Sequence, residues 1–332
     1  MKTINFKIVV LAILYLIPTI SYSQTNIKAI KMEKVFYNNN GIKMAGNLYY
    51  PENLDKTKKY PAIVCTHAAG AVKEQATGLY AQKLAQNGFV ALAFDASHQG
   101  ESGGEPRYLE NPPERVEDIR ASVDYLTTLP FVDINRIGAL GVCAGGGYTI
   151  NAAMTERRIK AVAGVSTTDA GAAIREGWLG GTPVSEQIKL LETVAQERTS
   201  VANGAQPIYG NYVPEKTDPN APVTMNEAYE YYRTPRCSHP NSKNKVLLMS
   251  LDKILAFSAF QNMETLLTQP LLIVVGSKSD AYYLSERAIN KAATKDKELF
   301  VIDGATHVDM YDKPQYVDQA IKKLTVFFNT KL

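Results

Sequence analysis

The sequence is poor in the residues that bind metals or cross-link a chain. Its 332 residues include only three cysteines and four histidines. The cysteines are too few and too scattered for a disulfide framework, although a bond between Cys65 and Cys237 stays open. The histidines and cysteines also lack the spacing of a zinc site. We therefore expect neither a metal nor a cofactor.

The sequence also lacks a strong excess of charge of either sign. It has 36 basic and 33 acidic side chains, a net charge of +3 at pH 7. No basic surface is therefore predicted that would hold nucleic acid. Nucleotide-binding loops are absent as well, because the glycine-rich run at 141–147 does not have the Gly-x-Gly-x-x-Gly register and no Gly-Lys-Ser/Thr follows it. Nucleic acid is not an expected partner.

One apolar run near the amino terminus has the features of a secretory signal peptide. Residues 8–17 are apolar, two lysines precede them, and Ser21-Tyr22-Ser23 follow, with small residues where a signal peptidase cleaves. The run is short for a membrane span, so an uncleaved anchor is only the alternative. We expect residues 1–23 to be removed. The mature protein is then periplasmic or secreted, with no stable membrane insertion.

The remaining chain predicts one large α/β domain, because short apolar runs alternate with helical patterns. Strands are predicted at 32–37, 42–50, 59–66, 89–94, 137–142, 159–165, 270–275 and 298–302, and helices at 77–87, 114–129, 148–154, 284–293 and 315–328. This order favours a mostly parallel, doubly wound sheet. The core would comprise residues 24–165 and 269–332.

Residues 166–268 interrupt this alternation and concentrate aromatic side chains. A segment of that length without structure of its own is uncommon in a compact domain. We therefore predict an inserted, mainly helical lid over the ligand crevice, with some of its aromatic side chains lining an apolar pocket.

The centre of the sequence is a predicted strand that runs into a glycine turn. The turn, Gly141-Val142-Cys143-Ala144-Gly145, has the Gly-x-nucleophile-x-Gly pattern of a strand-to-helix elbow. Such a turn crowds the positions two before and two after its central residue, so glycine fits there. It lifts the Cys143 sulfur above the sheet edge, with the Ala144 amide directed at the same space. A small buried thiol is the alternative reading of Cys143.

Two further residues follow later strands and complete a reactive set. Cys143, Asp280 and His307 come in the nucleophile, acid, base order of the α/β-hydrolase fold. In that arrangement His307 takes the thiol proton, and Asp280 holds the imidazole and offsets its charge. Asp169 is the alternative acid.

Other residues near these strand ends are candidates for the oxyanion hole and for substrate contacts. The small-residue turn at 67–70 directly follows a predicted strand, so the Ala68 and Ala144 amides are predicted to bind an oxyanion. His67, His98 and Trp178 are further candidates for contact with substrate. For the turn and for His98, a purely structural role is the alternative.

Four motifs resemble the dienelactone-hydrolase-like α/β-hydrolases. They are Gly-Val-Cys-Ala-Gly-Gly-Gly-Tyr at 141–148, the segment 118–138 with Pro-Phe-Val-Asp-Ile-Asn-Arg-Ile-Gly, His-Ala-Ala-Gly-Ala-Val-Lys-Glu-Gln at 67–75, and Gly-Ala-Thr-His-Val-Asp-Met-Tyr-Asp at 304–312. The branch with fungal polyketide transferases and uncharacterised bacterial hydrolases is the most similar. The resemblance covers residues 30–330 and implies the triad of Cys143, Asp280 and His307, with the oxyanion hole near Ala68 and Ala144.

The residues and the resemblance together predict a hydrolase. The expected reaction is hydrolysis of a small ester, thioester or lactone through an acyl-Cys143 intermediate, with a small-molecule acyl compound as substrate. Acyl transfer with the same triad is the first alternative, because it differs only in the acceptor. A cysteine peptidase and a non-catalytic binding protein are weaker alternatives.

Overall fold

The computed structural model describes residues 31–332 of the chain. The predicted signal peptide at 1–23 lies outside the described residues and stays a prediction. Within 31–332, the helices fall short of the length and apolar character that crossing a membrane requires.

An eight-stranded sheet forms the centre of the described chain. Its strands are β1 Met32–Asn39, β2 Ile42–Tyr49, β3 Tyr60–Thr66, β4 Val90–Phe94, β5 Val132–Val142, β6 Ile159–Val165, β9 Leu271–Gly276 and β10 Lys297–Ile302. Two short strands, β7 Tyr209–Asn211 and β8 Lys245–Leu247, lie outside this sheet. The spatial order is β1-β2-β4-β3-β5-β6-β9-β10. The first three strands in that order pair antiparallel, and the pairs from β4 to β10 are parallel.

Helices cover the sheet in two groups. Outside the lid they are α1 Ala76–Gln86, α2 Pro112–Thr127, α3 Ala144–Thr155, α9 Tyr282–Lys291, α10 Asp309–Asp312 and α11 Pro314–Lys331. Helix α2 packs against α3, and α1 packs against α11. All five residues of β4 and the last six of β5 are buried, which requires cover on both faces of the sheet. The topology is that of the α/β-hydrolase fold, as predicted.

Two core elements differ from the predicted ones. Strand β5 begins at Val132, five residues before the predicted 137, because Val132 itself pairs with Tyr60 of β3, ahead of a register shift that precedes Ile137. The short helix α10 was not predicted, since its four residues are too few to show helical periodicity.

The segment 166–268 contributes no strand to the main sheet. It contains α4 Ala170–Glu176, α5 Val184–Ala202, β7 Tyr209–Asn211, α6 Val223–Arg233, β8 Lys245–Leu247, a 3-10 turn at Leu248–Ser250, α7 Leu251–Ala256 and α8 Met263–Leu266. The segment is mainly helical, but β7 and β8 form a small antiparallel sheet that the sequence did not reveal. We call residues 166–268 the lid.

Candidate active site

The turn between β5 and α3 holds Cys143 in a left-handed backbone conformation. Its φ is 56°, which is unusual for a residue with a side chain and is typical of a strained nucleophile elbow. Close backbone contacts explain the flanking glycines. A Cβ on Gly141 would collide with the Gly145 carbonyl, and one on Gly145 with the Thr66 and His67 carbonyls. Glycine at these positions therefore lets the elbow approach the end of β3.

Several hydrogen-bonding groups surround the Cys143 sulfur. His307, the Tyr311 hydroxyl and the Ala144 amide lie near it as hydrogen-bond donors, and the Thr168 hydroxyl lies at 3.9 Å. Burial alone would raise the pKa of Cys143. The charge of His307 and these donors outweigh that effect and bring the pKa below its usual value. The surroundings of the sulfur therefore favour the thiolate.

His307 follows β10 and is the partner of this sulfur. Burial would lower the pKa of the imidazole, but the charge of Cys143 and the hydrogen bond to it raise it above its usual value. Both shifts favour the charged forms of the two groups, the thiolate and the imidazolium. Nε2 of His307 also lies 3.2 Å from the Tyr311 hydroxyl, and the Trp178 ring packs edge-on at 5.3 Å between centroids.

Asp280 follows β9 and lies near His307 without a hydrogen bond to it. Its carboxylate accepts hydrogen bonds from the backbone amide and the hydroxyl of Thr224, at the start of lid helix α6. The hydrogen bond from the amide is 3.0 Å long. Nδ1 of His307 has no hydrogen-bond partner among residues 31–332. The charge of Asp280 nevertheless raises the pKa of His307, with Glu227 of α6 as a further cause.

The alternative acid, Asp169, has another task. Its carboxylate caps helix α4 through the Ala172 amide at 3.1 Å and accepts a hydrogen bond from the Ala259 amide at 3.0 Å. It is not among the charges that shift the pKa of His307. The structure therefore favours Asp280 over Asp169 as the acid near this imidazole.

The predicted oxyanion turn lies beside the elbow, because β3 is the neighbour of β5 in the sheet. Ala68 and Ala69 border the same space as Cys143. Arg115 of α2 fixes the turn from behind, with Nη2 donating to the His67 carbonyl at 2.8 Å. Ala144 is at the first position of α3, and its amide lies near enough to the sulfur to lower the pKa of the thiol. Two sets of amides thus border the space above the thiol.

Two cavities meet at Cys143. The larger has a volume of about 340 Å³ and lies on the side of Ala144 and Thr168. The smaller has a volume of about 70 Å³ and lies on the side of Tyr311. Lid residues line both, including Trp178. The sulfur therefore has space on either side of it under the lid.

Of the three predicted substrate contacts, the structure brings only Trp178 to the cavities. The His67 ring is fully buried, with Nδ1 2.7 Å from the Ala68 carbonyl and Nε2 accepting from the Ala96 amide at 3.1 Å. Nε2 of His98 lies 3.1 Å from Glu114, and Nδ1 3.0 Å from the Pro106 carbonyl. Neither histidine lines a cavity at Cys143. The structure therefore gives no support to His67 and His98 as substrate contacts, which stay a prediction.

Sequence reasoning missed several residues that contact the reactive groups. Tyr311 lies four residues after His307, and that spacing on a helical turn was a usable signal. Thr168, Thr224 and Glu110 gave no such signal, because long-range packing brings them to the site. The remaining thiols, Cys65 and Cys237, are not disulfide-bonded, and burial raises the pKa of each.

Comparisons with known proteins agree with this architecture. Residues 44–215 match the model of the dienelactone hydrolase family, a range that includes Cys143 but neither Asp280 nor His307. The uncharacterized protein YcjY of Escherichia coli K12 is 43% identical over 89% of this chain and 96% of its own length.

A solved structure and a fungal enzyme extend the likeness. The crystal structure of hypothetical protein PA2218 from Pseudomonas aeruginosa superposes with a TM-score of 0.86 at 33% identity, over 91% of this chain and 94% of that one. The polyketide transferase claH of Penicillium crustosum is 26% identical over 84% of this chain and 91% of its own. The predicted resemblance to dienelactone hydrolases is confirmed, with fungal polyketide transferases as distant relatives. The chain belongs to the dienelactone hydrolase family and is an enzyme of the hydrolase or acyltransferase type.

Proposed function

We propose that this protein hydrolyses a small carboxylic ester, thioester or lactone through an acyl-Cys143 intermediate. The observation that carries the proposal is the arrangement at the sulfur. His307 at the end of β10, the Tyr311 hydroxyl and the Ala144 amide surround it, and each of them lowers the pKa of the thiol. A thiolate at an elbow, with a cavity on either side, suits attack on a carbonyl carbon.

In the first half of the reaction, the Cys143 thiolate forms a bond to the carbonyl carbon. The carbonyl oxygen becomes an oxyanion, and the Ala144 and Ala68 amides stabilise it. The tetrahedral intermediate then collapses. The bond to the leaving group breaks, and the leaving oxygen or sulfur takes the proton from Nε2 of His307, which leaves a neutral imidazole and an acyl thioester.

In the second half, water replaces the leaving group. Neutral His307 takes a proton from the water as it attacks the acyl carbon, and the second tetrahedral intermediate expels the Cys143 thiolate. The products are a carboxylic acid and the thiolate–imidazolium pair with which the cycle began. Asp280 stabilises the imidazolium by its charge, as its effect on the pKa of His307 indicates.

The two cavities indicate where the leaving group and the acyl group of the substrate bind. A leaving group must lie where His307 can protonate it, so it occupies the smaller cavity beside Tyr311. The acyl group then extends into the larger cavity beside Ala144 and Thr168. Because the larger cavity is near the lower end of the ligand-pocket range of about 300–1,000 Å³, the acyl group is small.

Acyl transfer to an alcohol or amine is the second candidate. The predominantly apolar lining of the larger cavity favours it, because a cavity that excludes water protects an acyl thioester until another acceptor arrives. The likeness to a fungal polyketide transferase supports the same alternative. Product analysis with added alcohols and amines separates the two reactions.

The test is intact-mass spectrometry after brief exposure to p-nitrophenyl esters and acyl thioesters under reducing conditions. We expect an acyl adduct that maps to Cys143, is absent from Cys143→Ala and persists in Cys237→Ala, which removes a partly buried thiol outside both cavities. His307→Ala should slow its formation. An adduct that survives Cys143→Ala contradicts the proposal, and no adduct across the panel favours a binding protein.

A further inference from the structure

Glu110, at the wall of the larger cavity, is a buried carboxylate with an unsatisfied oxygen. Its side chain is 1% exposed. Oε1 accepts a hydrogen bond from the Tyr148 hydroxyl at 2.8 Å, and the Glu110 amide is held by the Ser250 hydroxyl at 2.9 Å. Oε2 has no hydrogen-bond partner among residues 31–332. Leaving a buried carboxylate oxygen without a donor costs free energy, so this oxygen points to a missing partner.

Two other buried acids differ from Glu110 in having all their oxygens hydrogen-bonded. Both oxygens of Asp95 accept hydrogen bonds, from the amide and ammonium of Lys73 and from the Glu101 amide. Both oxygens of Asp118 likewise accept from Ser97 and Asn39. Neither Asp95 nor Asp118 lines the larger cavity, whereas Glu110 does. Five carboxylates within residues 31–332 have a buried oxygen without a hydrogen-bond partner, those of Glu74, Glu110, Glu227, Asp252 and Asp309, and of these Glu110 is the one that lines the larger cavity.

The surroundings of Glu110 indicate the charge of the missing partner. Nε of Arg115 lies 3.7 Å from Oε1, and both side chains are almost fully buried. The guanidinium also packs 5.0 Å from the centroid of the Tyr148 ring. Because Arg115 already offsets the negative charge of Glu110, a neutral donor suits the free oxygen better than an ammonium, whose desolvation would not be repaid.

Tyr212 of the lid adds a second polar group at the same place. Its hydroxyl is buried and lies near the Glu110 carboxylate without the geometry of a hydrogen bond, and it has no other partner in the described chain. A substrate hydroxyl can donate to Oε2 of Glu110 and accept from the Tyr212 hydroxyl at once. A hydroxyl is therefore the group that satisfies both.

We propose that the larger cavity binds an acyl chain that carries a hydroxyl group, which donates a hydrogen bond to Glu110 and accepts one from Tyr212. This inference rests on the proposed function only in calling the bound group an acyl chain. Apolar side chains form most of the wall between Cys143 and Glu110, including Ile174, Val246 and Ile254. A chain of methylene groups with a polar end fits that lining.

The experiment measures binding in the absence of turnover. In Cys143→Ala, which cannot form a covalent adduct, calorimetry compares p-nitrophenyl esters of hydroxyalkanoic acids with esters in which a methyl replaces the hydroxyl, at chain lengths of about four to eight carbons. At one or more lengths we expect the hydroxyl member to bind at least about tenfold more tightly, because its methyl analogue leaves Glu110 and Tyr212 unpaired.

Two further variants test the assignment to Glu110. In the Cys143→Ala background, Glu110→Gln should bring the affinity ratio close to one, and Tyr212→Phe should lower it about threefold, since it removes the weaker of the two contacts. Thermal unfolding identifies a variant that has lost its fold, and Tyr212→Phe leaves the Glu110–Arg115 pair intact.

The outcomes separate this inference from the proposed function. A ratio of one or less at every chain length, or a ratio that survives Glu110→Gln, overturns the hydroxyl site even if the wild-type protein hydrolyses esters. A high ratio that depends on Glu110 supports the site even if the wild-type protein forms no acyl adduct. In that case the proposed hydrolysis fails and the binding site stands.

Discussion

The residues of the candidate site come from two regions of the molecule that are held in place differently. Cys143 and His307 follow strands of the central sheet, and backbone contacts hold the elbow against the end of β3. Trp178, Tyr212 and Thr224 come from the lid and reach the site through side chains or a helix terminus. The first region holds the groups proposed to form and break bonds. The second region encloses these groups and contacts the residues that position them.

This difference predicts which substitutions should change the rate of acylation most. A residue on the sheet side acts directly on the sulfur or its proton. A lid residue acts through another group, as Thr224 does through Asp280. We therefore expect variants on the sheet side to change the rate of acylation by orders of magnitude, and lid variants to change it severalfold. The following predictions are ordered by that expected size.

The largest effect is expected from Cys143→Ala. Hydrolysis of a substrate that the wild-type protein accepts should fall by about 10³-fold or more, because the substitution removes the sulfur that forms the acyl intermediate. Steady-state release of p-nitrophenol or free thiol measures this. Thermal unfolding should change little, since the lost thiol is small. Retention of more than about a tenth of the activity would contradict a sulfur nucleophile.

The next effect concerns the ionisation of the thiol. The charge of His307 and its hydrogen bond lower the pKa of Cys143, so the rate of alkylation by iodoacetamide should reach half its maximum below about pH 8.5, the ordinary thiol value. In His307→Ala, burial still raises the pKa of Cys143, and only the weaker effects of Tyr311 and the Ala144 amide oppose it. The midpoint should then move above the ordinary value.

A histidine outside the site provides the matched control for this shift. His239 of the lid lines neither cavity, and its Nδ1 accepts a hydrogen bond from the Asn241 amide at 3.3 Å. His239→Ala should leave the midpoint where it is in the wild-type protein. Equal midpoints in His307→Ala and the wild type would show that no thiolate–imidazolium pair forms.

A smaller effect is expected at the acids near His307. Asp280 and Glu227 both raise the pKa of the imidazole, Asp280 more strongly. Asp280→Asn should therefore lower kcat/KM by about ten- to a hundredfold, and Glu227→Gln by less, because each neutral amide stops stabilising the imidazolium. Both should also move the basic limb of the pH profile downward. A larger loss in Glu227→Gln would reassign the supporting acid to the lid.

The sequence predicted the sheet side of this comparison much better than the lid side. Cys143, His307 and Asp280 were predicted together because a glycine-flanked elbow and the carboxyl ends of parallel strands converge at one edge, and their catalytic roles stay a prediction. Trp178 was found from its place in an aromatic segment. Thr224 and Glu110 were missed because a threonine or glutamate near a helix start has an ordinary local role, and only their long-range contacts, with Asp280 and with Tyr148, reveal another. The orientation of the His307 ring, with Nδ1 unpaired, had no sequence signal either.

The smallest effect is expected from Thr224→Val, which tests whether the lid acts on the reaction through Asp280. The substitution keeps the shape of the side chain and the backbone hydrogen bond at 3.0 Å, and removes only the hydroxyl that donates to the carboxylate. We expect kcat/KM to fall about two- to threefold, with a loss of roughly 1 kcal/mol in stability.

A lid threonine without a link to the site shows what such a loss means. The Thr199 hydroxyl on α5 bonds only to its own helix, at the Ala195 carbonyl, so Thr199→Val should leave kcat/KM unchanged. If Thr224→Val lowers kcat/KM as much as Asp280→Asn does, the lid contact is part of the machinery that holds the acid. Asp280 would then belong to both regions, because it follows a strand of the central sheet but its position would depend on the lid.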